Sequence, residues 1–85
     1  MPYSIQFTSR ARRDFDGLAR AVQQRLRAHI DRLASTPFPP GAKKLHGSEP
    51  YYRIRVGDYR VVYQVDGKRL VVIVVKIGHR KEVYR

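Results

Sequence analysis

Apolar and polar residues alternate from Tyr3 to Phe7, with Tyr3, Ile5 and Phe7 on one side and Ser4 and Gln6 on the other. That period predicts a short half-buried strand. Thr8 or Ser9 then supplies a hydroxyl able to cap a helix beginning near Arg10. Asp16-Gly17 weakens this helix, because glycine is a poor occupant of helix interiors. A second helix is expected from about Arg20 to Ala34, where Val22, Leu26, Ile30 and Leu33 recur at spacings of four, four and three and form one apolar stripe. Arg25, Arg27 and Arg32 lie off the stripe, and Phe15 and Leu18 complete the inner side of a helical hairpin. Pro37-Phe38-Pro39-Pro40-Gly41 is a loop, since proline lacks an amide donor and restricts the residue before it.

The pattern then changes to period two. Tyr52, Ile54 and Val56 alternate with Arg53 and Arg55, which share the opposite face of a strand. Gly57-Asp58 permits a tight reversal. Tyr59, Val61, Tyr63 and Val65 occupy one face of the next strand, and Arg60, Val62 and Gln64 the other. Asp66-Gly67 is a two-residue hairpin signal. Leu70 to Ile77 is apolar on both faces apart from Lys76, as an interior strand would be; Gly78 ends it, and His79 to Arg85 forms a basic tail. The order β-α-α-β-β-β predicts an α+β fold: one antiparallel sheet carrying the helical hairpin on one face. The tyrosines at 52, 59 and 63 fall on the core side, and Arg53, Arg55 and Arg60 on the open side.

Length and charge sharpen this picture. The chain has 85 residues, enough for a single domain over 1–85. Eighteen Lys and Arg against seven Asp and Glu give a formal net charge of +11. Such an excess repels itself and implies a polyanionic partner: nucleic acid, an anionic surface or an acidic protein. The basic residues run the whole length of the chain rather than forming a detachable tail. The start, Met1-Pro2-Tyr3-Ser4-Ile5, lacks a signal-peptide pattern, and there is no cysteine; a reducing, cytoplasmic setting is expected. The longest apolar run, Leu70 to Val75, is too short for a membrane span. With no cysteine, three scattered histidines and no glycine-rich phosphate loop, neither metal nor cofactor is expected.

Four pieces of the second half resemble the RelE branch of the RelE/ParE toxin superfamily. They are Lys44-Leu45-His46-Gly47, Tyr52-Arg53-Ile54-Arg55, Tyr59-Arg60-Val61-Val62-Tyr63 and Gly78-His79-Arg80-Lys81-Glu82-Val83-Tyr84. Their order and spacing fit, as does the helical hairpin before them, so the resemblance covers essentially the whole chain. It implies a type II toxin that cleaves mRNA in the ribosomal A site without a metal. Its implied partners are the 70S ribosome with bound mRNA and an acidic cognate antitoxin, through which the complex would bind operator DNA. Two other readings stay open: a ParE-like, non-catalytic inhibitor of DNA gyrase, and a non-enzymatic basic RNA-binding module.

RNA carries its own nucleophile, the 2′-hydroxyl. Cleavage needs that oxygen in line with the leaving 5′-oxygen, a base, an acid and positive charge for the phosphorane. Arginine suits the last task, because its planar fork pairs two donors with phosphate oxygens and stays charged. The resemblance implies Arg60 and Arg80 as phosphate and transition-state binders, with Arg53 and Arg55 at two further basic positions. It implies Tyr84 as general base or as the residue that orients the nucleophile by stacking. Family members often have lysine where Arg53 and Arg55 stand, and arginine cannot readily give up a proton. His79 is therefore a rival for proton transfer; His46, in the Lys-Leu-x-Gly turn, reads as structural. Lys43, Lys44 and Lys81 are expected to contact RNA. The plain alternative for all these cations is a solvated face.

Overall fold

The computed structural model describes residues 2–45, 47 and 50–79. Seven elements follow in order: β1 (Ser4–Phe7), α1 (Ser9–Asp16), α2 (Arg20–Arg32), β2 (Lys43–Lys44), β3 (Tyr51–Val56), β4 (Tyr59–Asp66) and β5 (Val71–His79). The sheet order is β1-β5-β4-β3-β2. The helical hairpin and the meander lie where the periodicities place them. Among these residues no helix is long and apolar enough to cross a membrane.

The expectation of a wholly antiparallel sheet is corrected. β1 pairs parallel to β5, with Ile5 opposite Val72 and Phe7 opposite Val74, while the other pairings are antiparallel. The hairpin between β1 and the meander supplies the crossover that a parallel pair needs. It also makes β5 an interior strand, which accounts for its apolar residues on both faces. The two-residue strand β2 is likewise an addition to the expected order; Lys43 pairs with Arg53 and Lys44 with Tyr52.

One apolar layer joins helices to sheet. Leu26, Ile30 and Leu33 from the α2 stripe pack with Ala11 and Phe15 of α1 and with Ile54, Val61, Tyr63, Val72 and Val74. Thr8 caps α1: its hydroxyl oxygen accepts from the Ala11 amide at 3.1 Å and donates to the Val75 carbonyl at 3.2 Å. Tyr63 is wholly buried, and its hydroxyl donates to the Pro37 carbonyl at 2.7 Å, which ties the proline loop to the middle of the sheet. Burial pushes this phenol up to about 12, with Tyr52 beside it adding to the rise.

Two turns differ in kind. Gly57-Asp58 closes β3 to β4 with Gly57 at φ +60°, in the left-handed region open to glycine. After Asp66 the connection is longer than the expected two residues. The Asp66 carboxylate accepts from the Lys68 and Arg69 amides at 3.0 and 3.1 Å, and Leu70 stands at φ +58° before β5 resumes. The side chain of Asp66 thus replaces a backbone turn with an Asx turn.

Candidate nucleic-acid interface

The sheet face away from the helices is built from alternate residues of β2 to β5. The ladder places Arg55 opposite Arg60, and Arg60 opposite Gly78. In the next row stand Lys43, Arg53, Val62 and Lys76, each opposite its neighbour across the strands. Five cations therefore share one patch. Arg60 and Arg53 are buried at 3% and 7% exposure, whereas Arg55 and Lys43 are exposed. Each of the three arginines is engaged by neighbouring groups. Gly78, itself buried, stands opposite Arg60 and adds no side chain of its own to that row.

Like charges directly opposite each other destabilise a sheet. Arg55/Arg60 and Lys43/Arg53 are two such pairs side by side. Asp66, the one carboxylate in this face among the described residues, pairs with Val71 two rows beyond Lys76 and Val62. A face that concentrates arginines is suited to holding phosphates in planar, two-pronged contacts.

A register shift in β5 decides which residues join the patch. Val62 pairs with Lys76 but Tyr63 with Val74, so Val75 is an extra residue that faces no partner. A bulge of this kind exchanges the faces on either side of it. Beyond it Ile77 returns to the core opposite Val61, Gly78 faces Arg60, and His79 pairs with Tyr59 on the helix side. The bulge is held from the helices by Thr8 and by Asp14, whose carboxylate accepts from the Ile77 amide at 3.1 Å.

The sequence-predicted residues divide accordingly. Arg53, Arg55, Arg60 and Lys43 come together on one face, and Lys76, which the sequence reading did not single out, joins them. Lys44 falls on the other side of its strand, with Tyr52. His79 lies across the sheet from Arg60, its ring edge-on to Tyr59 at 5.8 Å between centroids. The rival role in proton transfer is therefore not supported by its position. Arg80, Lys81, Tyr84 and His46 lie outside the described residues. The signal that could have flagged Lys76 was its polarity within an apolar run, but its face depends on the bulge. Among the described residues no group of three or more histidine, cysteine, aspartate or glutamate side chains could hold a metal ion.

Comparison with known proteins agrees with this architecture. The chain is 33% identical over 88 residues to the mRNA interferase toxin RelE of Escherichia coli, covering 99% of this chain and 92% of that one. It is 29% identical to toxin RelG of Mycobacterium tuberculosis, covering 100% and 99%. Among solved structures, RelE in the archaeal RelE-RelB complex from Pyrococcus horikoshii superposes with a TM-score of 0.83 at 30% identity, covering 96% and 99%. The isolated E. coli RelE toxin superposes with a TM-score of 0.81 at 31% identity, covering 96% and 90%. Residues 5–84 match the family described as ParE toxin of type II toxin-antitoxin system, parDE. With a sheet of RelE topology, an arginine-lined face and relatives along its whole length, the chain belongs to the RelE/ParE superfamily of type II toxins.

Proposed function

We propose that this toxin is an endoribonuclease that cleaves mRNA held on the ribosome, and that the arginine face is where it does so. The observation that carries this reading is the juxtaposition of Arg55 with Arg60, flanked by Lys43, Arg53 and Lys76. In the reaction the 2′-oxygen attacks phosphorus and loses its proton to a base. The bond to the 5′-oxygen breaks, and that oxygen takes a proton. The products are a 2′,3′-cyclic phosphate and a 5′-hydroxyl. Arg60 binds the non-bridging oxygens as charge builds on the phosphorane, with Arg53 and Arg55 beside it. One well-placed donor of this kind contributes roughly 3–4 kcal/mol. Arg80, two residues beyond Gly78, adds a second transition-state contact, and Tyr84 acts as base or stacks to orient the nucleophile.

RNA provides the nucleophile and the arginines provide the charge, so the scheme runs without a metal. It also accounts for dependence on the ribosome. The described ionisable groups in the patch are lysines and arginines; arginine does not exchange protons in the usable pH range. Positioning must then supply much of the rate, and a ribosome that holds mRNA in line supplies it. The partner that silences the toxin is an acidic antitoxin of the RelB type, the partner with which the Pyrococcus horikoshii relative was solved; a net charge of +11 favours such a polypeptide.

The family description, which names ParE, favours gyrase inhibition as the second reading. One preparation assayed on both targets separates the two. The proposal expects mRNA cut on programmed ribosomes, little cutting of naked RNA and unaffected supercoiling by gyrase. Loss of supercoiling without any mRNA cleavage would replace it with the second reading.

A further inference from the structure

The arginine face does not stop at the edge of the sheet. β2 covers only Arg53 and Tyr52 of β3, and beyond its end a cleft of about 540 Å³ opens between β3, the last turn of α2 and the proline loop. His29 and Arg32 of α2 line one wall, Lys43 and the Pro39–Gly41 loop another, and Arg53, Ile54 and Arg55 the floor. Its size lies in the range of small-ligand sites. Four of its side chains are arginine or lysine, and none of its described lining residues is acidic.

The walls are pre-formed. Tyr63 holds the loop by its bond to the Pro37 carbonyl, and the Ala42 amide donates to the Pro39 carbonyl at 3.0 Å. The His29 ring is oriented by its Nδ1, which donates to the Arg25 carbonyl at 3.0 Å and leaves Nε2 to meet a ribose hydroxyl. Arg53 and Arg55 line this cleft at the edge of the sheet as well as the catalytic face, so the two are neighbours along β3.

We propose that this cleft is a second, non-catalytic subsite that takes a nucleotide flanking the scissile one, with its phosphate between Arg32 and Lys43 and its ribose against the Pro39–Gly41 rim. The occupant is single-stranded RNA rather than an acidic peptide. The cleft is nucleotide-sized and adjoins the phosphate-binding face, and its rim of Pro39 and Pro40 suits the flat faces of a sugar and base. This rests on the ribonuclease reading for the direction of the strand, but not for the binding itself.

The test uses the full chain and a short 2′-O-methyl oligoribonucleotide, which cannot be cleaved because its 2′-oxygens are blocked. Arg32 is exposed and lies outside the catalytic group. Arg32→Glu should weaken binding about 10-fold and flatten the dependence of log affinity on log salt by about one phosphate contact. Arg32→Lys should keep most of the affinity, and Arg32→Gln serves if the glutamate variant melts early. In magnetic resonance titrations the His29 ring and Gly41 amide should shift with the oligonucleotide. On programmed ribosomes the half-saturating concentration should rise while the saturated cleavage rate holds. Affinity within twofold of the parent for Arg32→Glu and Arg32→Gln would overturn the subsite. So would His29 and Gly41 responding to an oligoglutamate peptide but not to RNA, or to inorganic phosphate as tightly as to RNA. If the parent fails to cut mRNA yet Arg32→Glu still weakens oligonucleotide binding, the ribonuclease reading fails and the subsite stands.

Discussion

Replacing Tyr63 by phenylalanine removes one oxygen from the centre of the molecule and has a signature that depends on pH. The ring is fully buried and its hydroxyl donates to the Pro37 carbonyl at 2.7 Å. Tyr63→Phe keeps the ring but strands that carbonyl, at a cost of about 1–2 kcal/mol near neutrality. Alkali reverses the sign. Burial holds the phenol at about 12 in the folded chain, against about 10 when unfolded. A raised value means that the folded state prefers the protonated phenol. This stabilisation is complete below about pH 10 and is lost as pH rises through about 12. Two units correspond to about 2.7 kcal/mol when fully expressed, with about half of it gone by pH 11. The parent should therefore be more stable at pH 7, the two proteins should converge near pH 11, and the variant should be more stable at pH 12. Urea unfolding of both proteins across this range isolates the effect, since their other titrating groups are the same. A constant stability difference from pH 7 to pH 12 would refute the reasoning.

The other perturbations act at the sheet and at the arginines. Asp14→Ala deprives the Ile77 amide of its acceptor beside the bulge; it should cost about 1.5–3 kcal/mol and speed exchange of that amide, and an unchanged exchange rate would remove Asp14 from the account. Gly57→Ala forces a side chain onto φ +60° with its Cβ 3.1 Å from the Arg25 guanidinium; thermal unfolding should register a loss of about 1–2 kcal/mol, of which Arg25→Ala in the same chain relieves only the steric part. Arg60→Ala should slow single-turnover mRNA cleavage about 100-fold or more with ribosome binding little changed. Because Arg60 is buried, Arg60→Lys is the companion: it should stay folded and cleave at an intermediate rate, and full activity in both variants would exclude Arg60 from transition-state binding.

Much of the fold was legible because its elements are strongly periodic. The Val22–Leu33 stripe, the alternation around Arg53 and Arg55 and the Gly57-Asp58 reversal each rest on local chemistry, and the structure follows them. What stayed hidden depends on contacts between distant segments. The parallel pairing of Ser4–Phe7 with Val71–Val74 is set by the crossover of the hairpin, and no residue near either strand encodes it. The extra residue at Val75 is held by Thr8 and Asp14, more than sixty positions away, yet it decides that Gly78 meets Arg60 while His79 turns to the helices. Strict alternation through β5 would have put Lys76 with Val72 and Val74. Asp66-Gly67 signals a two-residue turn, but the Asp66 side chain accepts from the Lys68 and Arg69 amides and the connection is longer.

The arginine patch was found from sequence because its three central members sit on two regular strands joined by a two-residue turn. The cleft beside it was not, because it forms from α2, the proline loop and the uncovered part of β3, which meet only in the folded chain.

The most direct measurement of the central claim is the chemistry of the ends that this toxin leaves on mRNA. With programmed ribosomes and purified toxin, the upstream fragment should carry a 2′,3′-cyclic phosphate and the downstream fragment a 5′-hydroxyl, read by mass spectrometry. The yield should collapse for Arg60→Ala and fall for a message whose A-site codon has 2′-O-methyl riboses. Fragments ending in 3′-hydroxyl and 5′-phosphate, or unaltered cutting of the 2′-O-methyl message, would contradict attack by the 2′-oxygen on the arginine face.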